Sequence, residues 1–248
     1  MKLRYITCSD PREDLNPSDV IDLLKTSPLA EIGVQIHKSV AKWGKQRALW
    51  FDTLLKQSAN LKTPVNIAMH VNYEWCDEMC SGNIPSEIAY FMSLKNKHTN
   101  APLISRIQLN IGDATYQFDA HKLFKLISVL RDYEFILPFN PHVISEIKQL
   151  KTTGAKFNLL FDGSYGAGIS PEKWQKPVFN DVQFGYAGGI SPKNVEENLN
   201  KISNILPQDY ETWIDAEGQL RGNKWVFNLD LARDYLNRAI KWNNTHTK

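Results

Sequence analysis

Three cysteines in 248 residues, Cys8, Cys76 and Cys80, are too few and too odd in number for a disulfide framework. No apolar run has the length of a signal-peptide core or a membrane span, and the opening MKLRYITCSD runs straight into an apparent strand. No low-complexity tract, linker or block of like charge divides the chain, so one domain over residues 1–248 is expected. Charge of either sign is also not in excess. The 29 basic and 27 acidic residues leave a net +2, which shows no global bias toward nucleic acid or an anionic membrane. Cys76 and Cys80, four apart around Asp77 and Glu78, have no second Cys/His pair nearby at a zinc-module spacing, so no metal and no cofactor is expected. These absences leave a cytoplasmic globular protein whose partner is a small molecule, as monomer or homodimer. Its 42% hydrophobic content supplies a large core without covalent staples.

What is present is alternation. Short β-rich runs begin at Leu3, Glu31, Val65, Ile104, Glu134, Phe157, Val182 and Thr212. Between them lie stretches such as SDVIDLLK, KQRALWFDTLLKQ and HKLFKLISVLRDY, whose apolar residues recur every three or four positions and so predict amphipathic helices. Eight such units in 248 residues match a (β/α)8 TIM barrel. A doubly wound open sheet is the competing arrangement, because counting strands does not prove closure. The weakest units are the third, with a long mixed connection from Asn72 to Pro102, and the sixth, where SPEKWQKPV leaves room for only a short helix.

In such a barrel the residues that do chemistry end the strands and fill the loops that follow. Cys8, His37, Asp162, Gly188, Gly189, Asp215 and Glu217 all fall at predicted strand ends. His70 ends the third strand, as a mouth residue or a satisfied buried histidine. The glycine pair is followed by a helix start, with Ser191 as N-cap and Pro192 at the first helical position. Its free N–H groups suit an anion, or else the glycines serve only a tight turn.

The motifs, taken in order, resemble the phosphoribosylanthranilate isomerase family. ITCS at Ile6 resembles its first strand, Lys-Ile-Cys-Gly, and HKS at His37 its Lys-Ser pair. IQLN at Ile107, LLFDGSYGAG at Leu159 and WIDAEG at Trp213 resemble its fourth, sixth and eighth strands. AGGISPKNV at Ala187 is the most specific match, while residues from Cys76 to Pro102 match nothing in the family. The resemblance implies an aldose–ketose isomerase, performing an Amadori rearrangement of a phosphorylated aminosugar in tryptophan biosynthesis. It implies Cys8 as the base and Asp162 as the acid. It further implies substrate contacts from His37, Lys38, Lys42, Gln108, Asn110 and Asp215, and a phosphate cradle at Gly166, Gly168, Gly188, Gly189 and Gly218.

The chain also departs from that pattern. Ala216-Glu217-Gly218 replaces a Ser-Ser-Gly phosphate loop, and a carboxylate facing phosphate costs binding unless it turns away or pairs, for example with Arg221. Lys42 stands in for an arginine that grips a carboxylate, as a point charge without the bidentate geometry. Ser9 replaces the glycine after the cysteine, and Asn110 replaces a histidine. A related barrel enzyme with another small-molecule substrate, or a ligand-binding barrel without catalysis, are the alternatives.

Overall fold

The computed structural model describes residues 1–111, 118–164, 168–222 and 225–246. Eight parallel strands close on themselves in sequence order: β1 (Lys2–Ser9), β2 (Ala30–Ile36), β3 (Asn66–Val71), β4 (Arg106–Leu109), β5 (Glu134–Pro138), β6 (Asn158–Asp162), β7 (Phe184–Ala187) and β8 (Glu211–Ala216). The pairing of β8 with β1, Thr7 opposite Asp215, makes the closure and excludes the open sheet. Helices α1 (Pro17–Leu24), α2 (Lys38–Ala41), α3 (Gln46–Ser58), α4 (Tyr73–Cys80), α5 (Ser86–Ser93), α6 (Ala120–Val129), α7 (Ile144–Thr152), α8 (Val195–Ser203) and α9 (Leu229–His246) follow their strands. The long third connection is thus two helices, α4 and α5. Among the described residues the connection between β6 and β7 carries no helix.

Local chemistry fixes the helix starts. The Asn16 side chain accepts from the Ser18 N–H ahead of Pro17, and Asp119 accepts from the amides of His121 and Lys122. At α8 the expectation shifts by one turn. Asn194, not Ser191, is the N-cap residue, and its side chain accepts from the Ser191 N–H at 2.8 Å across the preceding turn.

The main core lies between strands and helices, where Ile6, Ile32, Val34, Met69, Ile107 and Leu137 meet α-helical side chains such as Val20, Phe51, Leu54 and Leu236. The barrel interior is different. Its apolar content is a small group, Ile136, Leu160 and Trp213, with Tyr5 and Ala187 against it. The remainder of its lower layer is ionic. Arg106 donates to Glu31 at 2.7 Å and to Glu134 at 3.1 Å, while Thr7 donates to Glu31 at 2.7 Å. Its guanidinium lies 4.4 Å from the centroids of both Tyr5 and Trp213. Gly185 makes room for this arrangement, since a Cβ there would come within 2.0 Å of the Trp213 ring.

Arg106 and Glu31 are sealed from water, so removing one strands the other's charge. Arg106→Met should therefore cost about 3–5 kcal/mol in urea unfolding. A loss below ~1 kcal/mol would show that the interior does not depend on this ion group.

Candidate active site

Alternation along β1 decides what the barrel mouth contains. Thr7 lies opposite Glu31 and Asp215, and Ser9 opposite Gly33, all on the inward face. Cys8 lies opposite Ile32 and Ala216 on the outward face. It is 0% exposed, packed in the layer between strands and helices. Burial pushes its thiol well above the usual range, and the charges of Asp215 and Glu31 push it further. A thiol so held stays protonated at neutral pH and does not face the cavity. The structure therefore does not bring Cys8 and Asp162 together as a base and an acid.

The strand C-terminal ends enclose a cavity of about 650 Å³. Of the residues singled out in the sequence, Gln108, Asn110, Asp162, Gly168, Gly188, Gly189, Asp215 and Gly218 line it. Gly166 falls outside the described residues. His37, Lys38 and Lys42 are not in the lining, because the chain turns outward into α2 once β2 ends. His37 is half-buried, edge-on to Tyr73 with ring centroids 5.2 Å apart and Nδ1 2.9 Å from the Ser39 hydroxyl. Lys38 and Lys42 are exposed. Gln35, the last inward side chain of β2, reaches the cavity instead.

Asp215 is the central group. It is 8% exposed, and its Oδ1 accepts from the Ser9 hydroxyl at 2.6 Å. Burial pushes its carboxyl up to about 8; the charges of Glu217 and Glu31 add to this and the Ser9 hydrogen bond opposes it. His70 lies close by. Its Nε2 and the Ser9 Oγ would each stand 2.6 Å from a Cβ on Gly33, so only a glycine at that position lets both approach. Burial and the charge of Arg106 lower the His70 pKa to about 3, which keeps the imidazole neutral.

Asp162 is held in a turn, its Oδ1 accepting from the Ser164 N–H at 2.9 Å and hydroxyl at 2.7 Å. Register puts it level with Asp215, since both lie opposite Ala187 from the two sides of β7. Glu217 does find partners: Gln35 donates at 2.7 Å and Arg221 stands 3.5 Å away. Arg221 is held more closely by Asp10, at 2.7 Å, as are Arg12 at 2.7 Å and Arg47 at 3.0 Å. Three arginines at the edge of the mouth are thus committed to one buried aspartate.

The glycine pair has a packing explanation. Gly188 and Gly189 take φ of 114° and 61°, and a Cβ on either would strike the connection after β6. The gaps would be 2.9 Å to the Ser164 nitrogen and 2.1 Å to the Ser170 nitrogen. Two nearby amides already have partners within the protein: Gly168 donates to the Ser164 hydroxyl and Ser191 to Asn194.

Sequence reasoning missed Ser9, Gln35 and Trp225. The first two were marked by their places on the polar face of β1 and at the end of β2. Trp225, in the loop after β8, is 71% exposed at the rim of the cavity.

No protein-family model and no curated protein matches the sequence. Solved structures do match. A TrpF structure from Jonesia denitrificans superposes with a TM-score of 0.55 at 14% identity, covering 96% of this chain and 97% of that one. Monomers generated from the dimeric phosphoribosylanthranilate isomerase of Thermotoga maritima give a TM-score of 0.55 at 10% identity, covering 96% and 98%. The chain is a (β/α)8 TIM barrel, and its fold is that of phosphoribosylanthranilate isomerase structures over nearly its whole length.

The Asp215 environment has a measurable consequence. Folded protein keeps a proton there up to about 8, while an unfolded aspartate releases it near 3.8. The group's contribution to stability is complete below about pH 4 and is lost as pH rises through about 8. Asp215→Asn removes that dependence, so the variant should gain on the wild type as pH rises across this window, with a slope of up to ~1.4 kcal/mol per pH unit. Parallel unfolding curves at both ends of the window would contradict the assignment.

Proposed function

We propose that the chain is an aldose–ketose isomerase acting on a small N-substituted aldosylamine by general acid–base catalysis in the barrel mouth. The observation that carries this reading is the placement of Asp215 and Asp162. Both face the cavity on strands flanking β7, level through Ala187, and so are roughly 10 Å apart at Cα by strand spacing. Ala187 between them is small and leaves space for a substrate.

Asp215, which keeps its proton at neutral pH, gives it to the ring oxygen as the sugar ring opens. Asp162, held by Ser164, takes the hydrogen from the adjacent C2. Asp162 returns that proton to C1 as the enol-amine becomes the ketone, and the proton released from the C2 hydroxyl passes through solvent back to Asp215. Hydrogen has moved between neighbouring carbons with no net oxidation. Cys8 takes no part, because it faces the helices. The shared fold with the two isomerase structures supports the reaction type, and phosphoribosylanthranilate is the first substrate to test.

Turnover of phosphoribosylanthranilate and of its unphosphorylated analogue, followed by fluorescence, tests the reading. Asp215→Asn and Asp162→Asn should each lower kcat/KM by about 10²–10⁴-fold, while Cys8→Ala keeps most of the activity. No turnover from folded protein on either compound, or loss of activity only in Cys8→Ala, would refute it.

A further inference from the structure

β3 stands across the closed barrel from β7, the strand between Asp162 and Asp215. Its inward residue at the mouth is His70, level with Gln35 and Gln108, and all three line the cavity. The His70 side chain is 3% exposed, yet its nitrogens are open to the cavity, and among the described residues nothing hydrogen-bonds to them. Both are therefore available to a bound ligand.

The place of the ring is prepared by β2. Gly33 is the inward residue before Gln35, and a Cβ there would meet His70 Cε1 at 2.5 Å and Nε2 at 2.6 Å, with Ser9 Oγ also at 2.6 Å. A glycine inside a strand weakens it, and Gly33 has no positive φ that calls for one. Its missing side chain serves the approach of the imidazole. Ser9 in turn donates to Asp215 Oδ1 at 2.6 Å. One glycine thus gathers an imidazole, a hydroxyl and a carboxyl on the floor of the cavity.

We propose that His70 is a third catalytic residue of the isomerase reaction: its imidazole binds the oxygen on C2 of the substrate and takes the hydroxyl proton as that oxygen becomes the ketone. On a tetrahedral C2 the hydrogen and the hydroxyl point apart, so a hydrogen facing Asp162 leaves the hydroxyl toward the wall where His70 stands. The bare ring nitrogen accepts the hydroxyl proton while Asp162 delivers its own to C1. The other ring nitrogen gives up its hydrogen to cavity water, which carries it the short way past Ser9 to the Asp215 carboxylate. The ring ends neutral, with its hydrogen on the opposite nitrogen, and exchange with water restores the first tautomer between turnovers. Burial and the Arg106 charge disfavour the imidazolium, so the ring passes the proton on without keeping it. This role rests on the isomerase reading of the mouth and adds one residue to it.

Steady-state kinetics of the full-length protein on phosphoribosylanthranilate and its unphosphorylated analogue test the role. His70→Ala should lower kcat by about 10²-fold or more, with KM changed less than about threefold and a melting curve confirming its fold. Added imidazole should restore kcat in a saturable way, whereas 1-methylimidazole, which has no N–H to release, should not. His70→Gln keeps a hydrogen bond but takes up no proton, so it should be slowed as much, and it carries the comparison if His70→Ala does not fold. A kcat within about threefold of wild type in either folded variant, no rescue by imidazole, or equal rescue by both compounds would overturn the role and leave the isomerase reading in place. No turnover by the wild type on either compound is a separate outcome, which removes the isomerase reading and this role together.

Discussion

The alternation of β1, locked between β2 and β8, is the constraint on which the site depends. A strand hydrogen-bonded on both sides cannot slip by one residue without turning every side chain to the opposite face. With Thr7 level with Glu31 and Asp215, the residues Tyr5, Thr7 and Ser9 enter the barrel, while Ile6 and Cys8 enter the helix layer. One choice of register therefore supplies Ser9 as the hydrogen-bond donor to Asp215 and removes Cys8 from the chemistry.

The polar interior follows from the same geometry. Many barrels of this kind fill their lower layers with branched aliphatic side chains. Here Arg106, flanked by Tyr5 and Trp213 and bonded to Glu31 and Glu134, fills that space with an ion group. Its charge reaches the mouth. Burial leaves one neutral base, His70, and one proton-bearing acid, Asp215, on the floor; the Arg106 charge adds to the first shift and opposes the second. The site is in this sense electrically continuous with the layer that supports it.

Much of this was legible in the sequence. The eight β-rich runs and the helical periods between them predict the barrel, and the placement rule for barrel mouths finds Asp162, Asp215 and the glycines of the β7 loop. The direction of a single strand was not. The motif ITCS puts the cysteine where the resemblance implied a base, and a one-residue difference in facing has no trace in so short a motif. A register shift between Leu3 and Tyr5 also stops alternation from being counted from the start of β1. The signal lay in polarity: Tyr5, Thr7 and Ser9 alternate with Ile6 and Cys8, which reads as polar-in once the interior is known to be ionic. Likewise Gly188 and Gly189 could signal either an anion or a close contact, and only the neighbouring backbone at Ser164 and Ser170 shows the contact. His37, Lys38 and Lys42 follow their strand closely in sequence yet turn away with α2, a change of direction that no local pattern announces.

The most direct test of the facing of β1 is the alkylation rate of Cys8 in the native protein, resolved from Cys76 and Cys80 by peptide mass spectrometry. With its side chain in the helix layer, Cys8 should label only as fast as the whole chain unfolds, with acceleration in denaturant and no fast phase at neutral pH. A Cys8 that labels rapidly in folded protein, with a thiolate titration near neutrality, would place its side chain in the mouth and contradict the register on which the site is built.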